Sequence, residues 1–219
     1  MPRALFEKTG NAIYISHLDL MRLFHRAFKR AGLALKHTQG YNPRPSVSIA
    51  LPLSLGMESR CELLDFELEG AHVTNDEVVR RLNASLTEGV RILTVYDNAA
   101  KLKNLAFLDC CISFEYDHGV PEKALSHISD LFSQESLIVE KKGKNGVTDQ
   151  DISPLIRSVA VKQIDNNELT LNANICCQNP ALNPMQIVAA ISKYLPELNP
   201  DFVHIQRVET YDVNNEVFR

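Results

Sequence analysis

The sequence has no long apolar run. No window of its 219 residues approaches 18 consecutive apolar side chains, so no transmembrane helix is expected. The amino-terminal stretch MPRALFEKTG is charged and strand-like and lacks the apolar segment of a signal peptide. These two absences predict a cytoplasmic protein with no membrane partner. Glycine-rich phosphate loops are missing as well: neither a Walker A pattern nor Gly-x-Gly-x-x-Gly occurs. Cysteine is sparse and odd in number, five residues at Cys61, Cys110–Cys111 and Cys176–Cys177, without the spacing of a disulfide scaffold. Adjacent cysteines in a strand point to opposite faces, so neither pair forms a chelate, and no Cys-x2-Cys is available for zinc. Buried free thiols in a reducing compartment, with no metal and no cofactor, are the reading that remains.

What is present is enough apolar material for a core, 45% of the residues, on a chain of formal net charge −4. That length and composition fit one large domain or two small ones. Charge is unevenly spread. Residues 16–50 hold six bases (Arg22, Arg26, Lys29, Arg30, Lys36 and Arg44) against the single acid Asp19. A basic island on an acidic body is the pattern of a polyanion site whose surroundings repel non-specific binding.

Periodicity changes repeatedly along the chain. RALFEKTGNAIYIS reads as two short strands around a Thr9-Gly10-Asn11 turn. Ser16 then has the character of an N-cap, with Asp19 at the capping-box position, and HLDLMRLFHRAFKRAG follows as a helix ending at Gly32. At 100° per residue Leu20, Met21, Leu23, Phe24, Ala27, Phe28 and Ala31 share an arc of about 160°. Arg22, Arg26, Lys29 and Arg30 lie opposite, without the interleaved acids of an ordinary solvated face. LALKHT, SVSIALPL and CELLDFELEG read as strands, TNDEVVRRLNASL as a helix capped by Thr74, and VRILTVYD as a strand. In the second half LAFLDCCISFEY, SLIVEKK, PLIRSVAVKQI, ELTLNANICCQ and DFVHIQRVETYDV read as strands. VPEKALSHISDLFSQ and NPMQIVAAISKYL read as helices, the latter with Asn183 as cap and Pro184 at its first position. Residues 142–151 read as a mobile hairpin loop. Each half approximates β-α-β-β-α-β. The prediction is an α+β protein of two tandem ferredoxin-like units with antiparallel sheets, spanning 1–98 and 104–219. One continuous α+β sheet domain is the alternative.

The stretch YISHLDLMRLFHRAFKRAGLALKHTQGYNPRPSVSIALPLSLGMESRCELLDFEL closely resembles the radical-SAM-linked family, a bacterial domain of unknown function. The resemblance rests on a Ser-His-Leu-Asp-Leu helix start at Ser16 to Leu20 and an Arg-Ala-Gly helix end at Arg30 to Gly32. It rests also on the loop from Gly40 to Pro45 and a Gly-x-x-Ser turn at Gly56 and Ser59. These motifs cover about a quarter of the chain, and the second half is similar only in outline. The family occurs free-standing and as a C-terminal extension of cobalamin-binding radical SAM proteins, so the resemblance implies such an enzyme as partner. The chain is similar to the free-standing form. It lacks the Cys-x3-Cys-x2-Cys spacing that holds a radical SAM cluster, so the partner's chemistry is not expected here.

The loop QGYNPRP carries the sharpest signal. Pro43 and Pro45 fix φ at two positions and bias Asn42 and Arg44 to extended geometry. Tyr41 offers a face for stacking and Arg44 a fork for phosphate or a base edge. Together with the basic ridge, they predict a non-catalytic accessory protein that binds RNA or a nucleotide-like polyanion. The contacts would come from His17, Arg22, Arg26, Arg30, Gln39, Tyr41, Asn42 and Arg44. Ser16, Asp19, Gly32, Gly40, Pro43, Pro45, Gly56 and Ser59 would carry the structural motifs. Two other classes compete. His17, His25 and His37 on one basic island would suit a metal-independent RNA endonuclease with paired acid and base. A pure protein-docking domain would use the same ridge against an acidic surface of the radical SAM partner. A Ser/His/Asp reading of Ser16, His17 and Asp19 fails, because residues so close at a helix start diverge.

Overall fold

Strand β1 (Arg3–Lys8) is buried at five of its six positions, which places it inside a sheet rather than at an edge. In the computed structural model, which describes residues 1–70, 73–143 and 146–219, the chain divides into two units. One comprises Met1–Leu102 with Arg219, the other Lys103–Phe218. The protein is a mixed α+β structure with four α-helices among the described residues, and every strand pairing within either unit is antiparallel.

In the first unit β1 is followed by α1 (His17–Arg30), β2 (Val47–Ala50), β3 (Glu58–Phe66), α2 (Asn75–Asn83) and β4 (Val90–Tyr96). The strands lie in the order β4-β1-β3-β2. Ala4 and Phe6 of β1, Leu64 and Phe66 of β3, and Ile92 of β4 form one core with Leu20, Phe24, Ala27 and Phe28 of α1 and Val78 and Leu82 of α2. Phe6 meets Phe24 edge-on at 5.0 Å between ring centres, and Phe28 meets Phe66 at 5.1 Å. Burial of each such ring contributes about 1.5–3 kcal/mol. The opposite end of β1 is tied by Arg3, whose guanidinium forks onto Asp65 at 2.5 and 3.1 Å.

Three expected elements differ. The second strand expected around Ile13 is instead a 3-10 helix over Gly10–Tyr14. Its causes are distant in sequence. The buried Lys8 ammonium donates to the Ile13 carbonyl at 3.0 Å, the Gly56 N–H donates to the same carbonyl at 3.0 Å, and the Thr9 N–H donates to the Gly89 carbonyl at 2.8 Å. Gly89 has φ +80°, and a Cβ there would stand 2.4 Å from the Thr9 oxygen, so only glycine closes this contact. The strand expected over LALKHT reduces to two isolated bridges, Leu35 to Leu68 and His37 to Pro45, because the following segment turns back onto it. Residues 142–151, expected as a loop, contribute strand β7 (Gly146–Asp151), paired with β6 (Ile138–Gly143). The remainder of that expected loop, at 144–145, lies outside the described residues.

The second unit runs β5 (Leu105–Glu115), α3 (Ala124–Phe132), the β6–β7 hairpin, β8 (Ile156–Gln163), β9 (Glu168–Cys176), α4 (Pro184–Tyr194) and β10 (Phe202–Asp212). Its sheet order is β10-β5-β9-β8. Leu108, Cys110, Ile112 and Phe114 of β5 alternate with partly exposed neighbours and are buried with Leu169, Leu171, Ala173 and Ile175 of β9. That period of two is what a sheet covered on one face requires. Helix α4 starts at a full capping box, with Asn183 accepting from the Met185 N–H and Gln186 accepting from the Asn183 N–H. No helix among the described residues is long and apolar enough to cross a membrane.

Candidate polyanion-binding site

Helix α1 begins at Ser16, whose hydroxyl oxygen accepts from the Asp19 N–H at 3.2 Å and donates to the Asp19 carboxylate at 2.7 Å. The Ser16 hydroxyl, then Arg22 at 2.7 Å, hold the Asp19 carboxyl below its ordinary range. Both charged groups are exposed, so this pair adds little stability. At the other end Gly32 adopts φ +66° and the Leu33 N–H bonds the Phe28 carbonyl at 2.9 Å, a Schellman closure. Burial of Leu20, Phe24, Ala27 and Phe28 leaves Arg22, Arg26, Lys29 and Arg30 on the exposed side.

The four cations of this ridge are not equivalent. Arg22 is engaged by Asp19, and Arg30 donates to the Ser85 carbonyl. Among the described residues Arg26 and Lys29 have neither an ion pair nor a side-chain hydrogen bond, although Arg26 contributes through space to holding the Asp19 carboxyl down. The ridge runs from Arg22 to Arg30, eight helical steps or about 12 Å of rise.

The loop that follows is a narrow-stemmed hairpin. The Thr38 N–H donates to the Arg44 carbonyl at 2.8 Å, the Arg44 N–H donates to the Thr38 hydroxyl at 3.0 Å, and the Ser46 N–H donates to the Lys36 carbonyl at 2.7 Å. Gln39, Gly40, Tyr41, Asn42 and Pro43 form the tip, all exposed, and Gly40 takes φ +139°. Tyr41 is 101% exposed, touching nothing that shields its ring. The Arg44 backbone is therefore fixed while its exposed guanidinium has no partner among the described residues. The two acids that could have clamped it are committed elsewhere, Asp65 to Arg3 and Glu67 to Lys36 at 3.8 Å. Pro45 closes the stem against His37. The remaining motif residues serve the scaffold: Gly56, at φ +82°, bonds Ile13, and the fully buried Ser59 accepts from the Cys61 N–H at 3.2 Å.

Sequence reasoning did not single out Thr38, which brackets Arg44 with both its amide and its hydroxyl. A threonine six residues before an arginine is no turn signature, and only the closed stem reveals it. Among the described residues no hydrogen bond or ion pair joins the loop to the ridge. Two of the three histidines lie at opposite ends of a helical stretch. His17 and His25, both half-buried, are separated by eight residues of helix, about 12 Å in rise, while His37 sits in the loop stem. A paired acid and base must both reach one phosphate within hydrogen-bond distance. Among the described residues no group of three or more His, Cys, Asp or Glu side chains is placed to hold a metal ion. A shallow cleft of about 390 Å³ lies beside the 3-10 helix, lined by Thr9, Gly10, Asn11, Thr87 and Glu88 among others, with no Lys or Arg among its described lining residues.

Fold and site together define an α+β protein with an exposed basic helix face and a rigid, aromatic-tipped loop. The family described as "Uncharacterized protein conserved in bacteria (DUF2344)" matches residues 2–184, and the chain belongs to it. No curated protein matches the chain. Two solved structures are similar over nearly the whole length. An unknown protein from Galdieria sulphuraria has 11% identity and a TM-score of 0.26, covering 94% of this chain and 97% of that one. A putative glycine cleavage system transcriptional repressor has 10% identity and a TM-score of 0.24, covering 94% and 96%. Likeness at these scores carries no argument about this protein.

Proposed function

We propose that the protein is a non-catalytic, cytoplasmic accessory factor that binds RNA or a nucleotide-like polyanion and serves a cobalamin-binding radical SAM enzyme. The binding surface is the basic face of α1 with the loop from Thr38 to Arg44. One observation carries this reading: Arg44 is pinned at its backbone between two prolines, while its guanidinium has no partner among the described residues and Tyr41 stands fully exposed three residues away. A fixed backbone lowers the entropy lost when the loop takes a phosphate, and the planar guanidinium can meet that phosphate with two bonds. The enzyme partner rests on the resemblance of the motifs at Ser16 to Leu20, Arg30 to Gly32 and Gly40 to Pro45. We further read each unit as ferredoxin-like. The β-α-β-β-α-β order, taken apart from the β6–β7 insertion, supports this, as does the strand order, in which the first and third strands lie centrally in each sheet.

Crosslinking in cells followed by sequencing of the recovered nucleic acid tests the reading. RNA recovered above background, with affinity falling linearly against log salt at a slope of about −0.7 per displaced phosphate on a single strand, is the expected result. Recovery of protein alone, from an acidic surface of the partner enzyme, would replace RNA binding by docking.

A further inference from the structure

We infer that the loop takes an unpaired base on the Tyr41 ring, which makes the ligand of this surface single-stranded. This rests on the polyanion-binding reading and narrows it. The stem is closed by bonds among Thr38, Arg44, Lys36 and Ser46 and by the bridge of His37 to Pro45, so the tip needs nothing from Tyr41 to hold its shape. A fully exposed aromatic ring that supports no fold has its apolar faces entirely in water. Duplex RNA offers such a ring nothing, because its bases are already stacked on one another and its grooves present edges and 2′-hydroxyls. Inorganic phosphate chains have no π face at all. A splayed-out base, by contrast, covers one face of the ring whatever its identity, since every base can stack. Arg44 stands three residues beyond Tyr41 on a fixed backbone, so one nucleotide can engage both, its base on the ring and its phosphate on the fork. Asn42, exposed between them, lies where a base edge can be met by an amide.

The test compares three probes on the full chain at one salt concentration: a mixed-sequence single-stranded RNA, the same sequence as a duplex, and inorganic polyphosphate. Wild type is expected to bind the single strand most tightly. Tyr41→Ala should weaken that binding roughly tenfold or more with an unchanged salt slope, while Tyr41→Phe, which keeps the ring, should retain it. Neither substitution should shift the melting temperature. Equal losses for all three probes on Tyr41→Ala, or no loss for any, would overturn the stacking inference. If the single strand still binds and responds to Arg44→Ala, the broader reading survives as a phosphate-only surface. If none of the three probes binds wild type, that reading fails and the inference with it.

Discussion

Arg44 has its backbone amide and carbonyl bonded and its side chain in water, and these two facts make opposite demands on a substitution. Arg44→Ala keeps the stem, because neither bond uses the side chain, so its melting temperature should match wild type. The same change should weaken RNA binding by roughly 1–3 kcal/mol, the usual loss for a charge-assisted contact. Lys29→Ala should lose less, because an ammonium is a point charge that cannot make the two parallel bonds a guanidinium makes to phosphate. Titration and thermal melts of both variants check this, and a lowered melting temperature for Arg44→Ala with unchanged affinity would assign the residue to the scaffold. The cysteines show residue-scale chemistry of the opposite kind. Burial pushes the Cys110 and Cys177 thiols up to about 12, so thiolate is absent near neutral pH. Alkylation of the native protein with mass-spectrometric readout should leave both unmodified, and full modification should require denaturant.

Among elements, legibility followed the range of the cause. Ser16, Thr74 and Asn183 head their helices because an N-cap is written in three or four adjacent residues. The 3-10 helix at Gly10–Tyr14 was not legible. Its determinants are Lys8 from within β1, Gly56 and Gly89, and an alternating pattern such as NAIYIS is equally good strand until those contacts exist. The site divides in the same way. The amphipathic pattern identifies which face of α1 carries the arginines. It cannot tell that Ser85 occupies Arg30 or that Thr38 closes the loop, since both are contacts across the fold. On α2, Glu77 receives the two-bond fork of Arg80 and a single bond from the Arg81 Nε, and its carboxyl is held down to about 2. A depressed carboxylate stabilises the fold fully above its ordinary value of 4.5, and the contribution is lost as pH falls from there toward 2. Glu77→Gln should therefore flatten the acid limb of a stability–pH curve by meeting wild type at low pH and lying slightly below it at neutral pH, a small difference because exposure and salt screen the pair. An unaltered acid limb would mean the pairs do not persist in solution.

At the scale of the whole molecule the question is whether net charge or charge placement governs binding. The chain carries −4 overall, so bulk electrostatics oppose a polyanion, and only a local surface can overcome that. Core packing fixes which side of α1 that surface occupies. Phe24 and Phe28 seat the helix against β1 and β3, and Phe24→Ala should cost about 3–5 kcal/mol of stability, read by denaturant unfolding. Placement can be separated from total charge with two triple variants of equal net charge. One neutralises Arg26, Lys29 and Arg44, the exposed cations of the ridge and loop that form no ion pair among the described residues. The other neutralises Lys101, Lys103 and Lys162, exposed lysines elsewhere on the chain. If net charge governed binding, both would weaken RNA affinity alike. If placement governs it, the first should abolish measurable binding and shrink the salt slope, because fewer phosphates displace their counterions, while the second leaves the slope at its wild-type value. Salt titrations of the two variants beside wild type decide between them, and equal slopes for both would remove the ridge and loop from the binding surface.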